Sequence, residues 1–308
     1  MSTANLVPET WMRSGDSAQK LLANTDWRRL ARDAFKRLQA ADGSSHARSL
    51  AFATGLVLLQ SIIAMVGLAS ALGTGPASDV LVRIIRAGIP GPAGQLLTQA
   101  VDQARRAGTS HRYLALLVGL MGAIVTGCIF MGQLERGLNR LYGIEQDRPA
   151  VPKFGLALLL TLSAGLLATV AFTVLTLGGS IDSSRVWTSV RWPLALLLMT
   201  AAVGLLFRWS PRRRQPGWSW LTLGAVVAVG LWAIATSLLT LFFRTSTAFG
   251  QTYGPLAGII ALLLWSLLSC IALLYGGALG AQLEAVRSGA SAPLDVEREA
   301  QSRRASKR

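Results

Sequence analysis

YLALLVGLMGAIVTGCIFMGQLERGLNRLYG, residues 113–143, carries no charge from Tyr113 to Phe130 and then places Glu135, Arg136, Asn139 and Arg140 inside six positions. A helix needs roughly 20 mostly apolar residues to cross a hydrocarbon layer about 30 Å thick. The stretch therefore reads as a membrane span, Tyr113–Gln133, that leaves the bilayer through a polar cluster. Five further runs read the same way: Leu50–Leu72, Phe154–Leu177, Trp192–Phe207, Trp218–Phe243 and Leu256–Leu279. The Trp192 run is short and opens on Trp192–Pro193, so its helix should borrow a turn upstream, toward Trp187.

The 308 residues are 52% hydrophobic and 15% charged, against about a quarter charged in soluble domains. The apolar runs are continuous rather than alternating, which excludes an outer-membrane barrel. The expected fold is an all-α, polytopic membrane bundle of six transmembrane helices. Nothing before Leu50 resembles a cleavable leader, so the first span is expected to act as an uncleaved anchor.

Loops that stay in the cytoplasm keep Lys and Arg. Of the 30 basic residues, 22 fall in the two tails and the second and fourth loops, and 8 in the alternate loops. Both termini are thus expected in the cytoplasm, in the inner membrane. The +15 net charge follows membrane sidedness and points to anionic headgroups as partners rather than to nucleic acid.

Residues 1–23 are polar and aperiodic and are expected to be a disordered tail, as is the charged segment 287–308; the membrane domain spans 24–286. In TDWRRLARDAFKRLQA, Trp27, Leu30, Ala34, Phe35 and Leu38 recur at helical spacing, Arg28, Arg29, Arg32, Lys36 and Arg37 fill the remainder, and Asn24 or Thr25 is placed to cap the start. Such a helix can lie on lipid or dock on the protein's own cytoplasmic face. The first outer loop, Gly73–Arg112, holds two further stripes, Val80, Leu81, Ile84, Ile85 and Leu96, Leu97, Ala100, Val101, Ala104, expected to cap the bundle mouth or lie on the outer leaflet.

On a helix leaving the second span, Glu135, Asn139 and Tyr142 share a face and Arg136 and Arg140 another. The first face is expected to bond to a second cytoplasmic segment, with Arg212, Arg213 and Arg214 as partners for Glu135. Arg136 and Arg140 are expected to face headgroups, together with Arg208, Arg212, Arg213 and Arg214, since guanidinium forks bind phosphate bidentately.

Longer motifs point to a family. TYGPLAGIIALLLWSLLSCIALLYGGALGAQLEA, Thr252–Ala285, resembles the last span of the YihY/virulence factor BrkB family, once mislabelled ribonuclease BN, in its Tyr253-Gly254 start, its Gly258-Ile259-Ile260-Ala261 run and its single Trp265. Glu135–Gly143 resembles that family's LxRxLNxxxG-type element. FRWSPRRRQPGW, Phe207–Trp218, resembles its arginine loop, and Asp42 with Leu50-Ala51-Phe52 the approach to its first span. Two positions depart from the pattern. Val57-Leu58-Leu59-Gln60 replaces Ser-Leu-Phe-Pro, and Gly280-Ala281-Gln282-Leu283 replaces Gly-Ala-Glu-Leu. The resemblance implies an integral inner-membrane protein tied to envelope integrity or export. Without that carboxylate no proton coupling through it is expected here, although Gln282 can keep its hydrogen bonds.

A metal-dependent nuclease needs clustered His and carboxylates. His46 and His111 flank different spans on opposite sides, Cys128 and Cys270 lie inside spans as small hydrophobes, and no metal, cofactor or covalent catalysis is expected. Ion-coupled carriers commonly keep a charged residue mid-span; here the interiors hold no ionisable group other than Cys and Tyr, and among their polar residues the wide amide Gln60 needs a partner. Small residues at Gly254–Gly258 and Gly276–Gly280 imply close helix contact, either within one chain or in a homo-oligomer. The expected function is handling or export of a lipid or small amphipathic or anionic solute; the competing expectation is a non-transporting scaffold for envelope assembly.

Overall fold

The structure is a computed structural model that describes residues 3–11, 26–71, 75–181, 185–246, 253, 256–290 and 293. Gly254 and the charged tail beyond residue 293 lie outside the described residues. The elements are α1 Trp27–Ala40, α2 Gly43–Ala71, α3 Gly75–Gly88, α4 Gly91–Leu141, α5 Ala150–Ile181, α6 Arg185–Trp209, α7 Trp218–Thr245 and α8 Leu256–Ser288. No strand occurs among the described residues.

Six of these helices are long and apolar enough to cross a membrane, over Gly43–Leu68, Leu116–Leu141, Ala150–Leu175, Ser189–Trp209, Trp220–Thr245 and Leu256–Ser288. They coincide with the six runs read from sequence. α6 does begin upstream of Trp187, at Arg185, and continues through Pro193. Helices are required here because a bilayer offers no partner to an unpaired backbone group.

α2 and α8 form the centre. Each buries 44% of its most apolar window, against 17% for α5 and α7. The outer helices instead present Leu159, Leu162, Leu166, Leu197, Leu238 and Leu241 outward, each about 60% exposed or more. A face that apolar is stable only against acyl chains. A close crossing joins α7 to α8, where a Cβ on Gly224 would stand 2.6 Å from the Gly276 carbonyl oxygen. The small residues at this end of α8 therefore serve packing within the chain.

α1 starts one residue later than the expected caps allow. Asp26, extended at φ −64° and ψ 108°, is the N-cap, and its carboxylate accepts from the Arg28 N–H at 3.0 Å. Leu30 and Ala34 pack with Trp220, Leu279 and Leu283, so the inner stripe docks on the protein. Trp27, Arg28, Arg32, Phe35 and Lys36 remain exposed on the other side.

The first loop differs from its expectation in one respect. α3 is the first of the two short helices, but the second is not separate: it is the start of α4, which runs unbroken into the second span. The polar run between them (104–112) hides that continuity. Leu81, Ile85, Leu97 and Val101 are buried against Ile62, Val66, Leu262 and Trp265. The cap thus closes the end of the bundle opposite α1.

We call the α1 end the basal face. The 142–149 and 210–217 connections, the end of α8 and residues 3–11 all lie there. Residues 3–11 belong to the stretch expected to be disordered, yet Ala4, Val7 and Thr10 are buried. Every third residue faces inward, the spacing of an extended polyproline-like chain, which neither helical nor strand periodicity reveals.

Candidate functional site

α4 stops where Gly143, at φ +79°, takes the left-handed conformation that glycine adopts without penalty. The Ile144 N–H closes the end on the Asn139 carbonyl at 2.8 Å. A Cβ on Gly143 would lie 2.5 Å from Leu6 Cα, so the same glycine admits the N-terminal strap, residues 3–11. The strap pairs through Ala4 N–H to Arg140 O at 3.2 Å and Val7 N–H to Tyr142 O at 3.1 Å.

The opening cluster of the sequence lies beneath it. Glu135, Asn139 and Tyr142 are buried, and the first two tie α4 to the same pair of connections, 142–149 and 210–217. Glu135 accepts the Arg148 N–H at 3.2 Å and pairs with the Arg148 guanidinium at 3.5 Å. Arg148 in turn donates to the carbonyls of Ser210 at 2.6 Å and Pro211 at 2.8 Å. The partner of Glu135 is thus Arg148, not the 212–214 arginines, because the connection after Gly143 folds back under α4. Asn139 spends both ends of its amide: Nδ2 donates to Asp147 at 3.3 Å, and Oδ1 accepts the Arg212 N–H at 2.8 Å.

Arg136 and Arg140, both half-buried, are engaged by the connection that follows α4. Arg136 pairs with Asp147 at 3.1 Å and Arg140 donates to Ile144 O at 3.1 Å. Burial pushes the Asp147 carboxyl up, but the Arg136 and Asn139 hydrogen bonds and the charge of Lys153 outweigh it and hold it below its ordinary value.

The arginine loop is likewise committed. Arg208 donates to Pro216 O at 3.2 Å, and Arg212 to Asp147 O at 2.9 Å. Arg213 forms a buried ion pair with Glu284 at 2.7 Å and stacks 4.5 Å above the Tyr142 ring. Arg214 lies over Trp11. Burial pushes the Tyr142 hydroxyl well above its ordinary pKa. Arg213 is thus part of an internal scaffold covered by the strap, while Arg212 and Arg214 stay exposed on the basal face.

Two further groups complete the network. Arg37, which the sequence places among the solvated cations of α1, is fully buried because it falls one turn from Ala34 and two from Leu30 on the docking stripe. Its Nε donates to Gln282 Oε1 at 2.8 Å, and its Nη1 to Asn5 O at 3.0 Å and Leu141 O at 3.2 Å. Burial pushes Arg37 down to about 10. Gln282 thus does keep a hydrogen bond in place of the carboxylate. Glu284, two residues on, accepts from the Thr10 hydroxyl at 2.9 Å and from Arg213. No periodicity marks Arg37, Thr10 or Glu284 as partners; only their folding together does.

The remaining sequence candidates lie elsewhere. Gln60 Oε1 is buried in the span against Gly122, with no hydrogen-bond partner among the described residues. Tyr253 is exposed. Trp265 donates from Nε1 to Thr236 Oγ1 at 3.2 Å, and behind it lie two cavities. One, of about 220 Å³, is lined by Ala171, Trp192, Ala195 and the α7 hydroxyls Thr236, Ser237 and Thr240. The other, of about 210 Å³, is lined by Val203, Leu206, Ala228, Trp265 and Leu273. Phe172, Met199 and Trp232 line both. The sequence gives no sign of them, since they arise between helices distant along the chain. Among the described residues, no three His, Cys, Asp or Glu side chains group as metal ligands.

The chain is similar to known proteins over most of its length. The family described as Virulence factor BrkB matches residues 34–302. The ribonuclease-like protein YfkH of Bacillus subtilis strain 168 is 25% identical over 265 residues, covering 82% of this chain and 94% of that protein. The UPF0761 membrane protein YihY of Salmonella typhimurium strain LT2 is 30% identical over 152 residues, 48% of this chain and 52% of YihY. A UPF0761 membrane protein of Halorhodospira halophila is 27% identical over 165 residues, 52% of this chain and 36% of its own length. The match thus spans nearly all of YfkH but about half or less of these UPF0761 relatives. No solved structure matches. The family match encloses all six spans and most of the basal network, so this chain belongs to the Virulence factor BrkB family and is a multi-pass membrane protein of the YihY/BrkB type.

Proposed function

We propose that the chain handles a lipid or a small amphipathic solute in the cytoplasmic membrane, moving it along the cleft between α5, α6, α7 and α8 without making or breaking covalent bonds. The observation that carries this reading is the pair of cavities sharing Phe172, Met199 and Trp232. Both are clefts that open at the bundle surface, where Trp192 and Leu196 on the wall of the first are exposed. Together the two cavities reach the roughly 300–1,000 Å³ of ordinary ligand sites.

Their chemistry selects an amphipath. Among the described residues no charged side chain lines either cavity, and one wall of the outer one carries three hydroxyls at helical spacing. Met199–Leu206 and Trp192–Met199 are successive stretches of α6, so the cavities follow one another along the membrane normal. The 22 to 8 division of basic residues supports a cytoplasmic basal face, with Arg28, Arg32 and Lys36 of α1 toward anionic headgroups. The name of YfkH describes a ribonuclease-like protein. In this chain the buried carboxylates Glu135 and Glu284 are each tied to an arginine, which supports a structural use for them rather than metal-assisted hydrolysis.

The test is photo-crosslinking with a lipid whose acyl chain carries a diazirine. Adducts on Met199 and Trp232 are expected. Adducts confined to outward residues such as Leu159, Leu197 and Leu238 would contradict the reading.

A further inference from the structure

We infer that the N-terminal strap sits in a latent anion site, its carbonyls and one carboxylate standing where Arg37, Arg213 and Arg214 can hold a phosphate group. The site lies on the basal face, apart from the cavities, so either proposal can fail alone.

Three observations converge on it. The arginines come from α1 and from the 210–217 connection, yet all reach the same short segment. Arg37 donates to Asn5 O at 3.0 Å, Arg213 to Val7 O at 3.1 Å and Pro8 O at 3.4 Å, and the Arg214 N–H to Glu9 Oε1 at 3.2 Å. Next, donors are left over. Among the described residues, Arg37 Nη2 and Arg213 Nε are buried without a hydrogen-bond partner, beside one unmet acceptor, Glu284 Oε2, and an unmet buried donor is costly. The charge, finally, is unbalanced. Among the described residues, Glu284 is the one carboxylate in ion-pair contact with Arg213, and none is in ion-pair contact with Arg37.

A phosphate fits that inventory better than the strap does. Its oxygens accept several charge-assisted hydrogen bonds and receive guanidinium forks bidentately, whereas peptide carbonyls offer only dipoles. The strap is held mainly by hydrogen bonds. Its apolar hold is Ala4 and Val7, so it sits at the low end of local stability. The phosphate can come from a lipid headgroup or from solution.

The experiment reads strap release in the full chain. Val7, which is 2% exposed, is changed to cysteine in a Cys128→Ala, Cys270→Ala background, and thiol-labelling rates are measured in phosphatidylcholine nanodiscs. Inorganic phosphate, or nanodiscs doped with phosphatidic acid, is expected to raise the rate several-fold, while chloride at equal ionic strength leaves it unchanged. The arm that responds identifies the source. Arg37→Gln should abolish the response; should that variant not fold, the exposed Arg214→Gln should reduce it. Rates unmoved by both phosphate sources, or raised equally by chloride, would overturn the site and leave the strap a plain clamp.

Discussion

Glu135 and Asn139 show how single residues hold the basal face. Each lies on α4, and each ties that helix to a connection remote in sequence: Glu135 through Arg148 to Ser210 and Pro211, Asn139 to Asp147 and Arg212. Hydrogen bonds to charged groups contribute about 1.5–3 kcal/mol each. Glu135→Ala or Asn139→Ala should thus cost about 2 kcal/mol, read as a lower melting temperature in detergent; an unchanged melting temperature would make the pair ornamental. Asp147 supplies the pH signature. Its folded pKa lies below the ordinary 3.8, so its contribution is fully present above that value and is lost as pH falls through the lower, folded one. The melting-temperature gap between wild type and Asp147→Asn should be constant above pH 4 and close as acid approaches the folded pKa; a gap that widened in acid would reverse the sign. The grouping of Glu135, Asn139 and Tyr142 was legible from helical spacing alone. Their partners were not, because a loop's return path leaves no periodic trace, and Arg37 looks in sequence like any other cation on a basic helix.

Elements divide in the same way. The six spans were legible because each is a long uncharged run, and a bilayer permits few alternatives. The continuity of α3's neighbour with the second span was hidden by the polar stretch (104–112), and the strap by its period of three. Two changes test the packing of elements. Gly276→Leu should force α7 and α8 apart at Gly224, since even a Cβ there meets the Gly224 carbonyl; overpacking costs about 1–3 kcal/mol, and loss of folded protein in size-exclusion chromatography is the expected outcome. Gly143→Ala meets both a positive φ and the backbone of Leu6. It should loosen the strap, seen as faster proteolysis ahead of α1, while Gly155→Ala, which has open space around it, should not.

At the scale of the molecule, the sequence announced a six-span bundle and its two unlike faces, but not the cleft between α5, α6, α7 and α8. Sidedness is checked by cysteine labelling of intact cells. Sites beside Gly91 should react with an impermeant reagent, and sites at the exposed Arg212 should not; the reverse pattern would invert the bundle. The cleft bears the central claim, and lipid movement in liposomes tests it most directly. Purified protein reconstituted with a fluorescent phospholipid in both leaflets should speed transfer between them, read as quenching beyond the outer half by an impermeant reductant. Met199→Trp, which fills the space shared by both cavities, should return the rate to that of empty liposomes. Wild-type vesicles that scramble no faster than empty ones, or a filled cleft that changes nothing, would contradict the account.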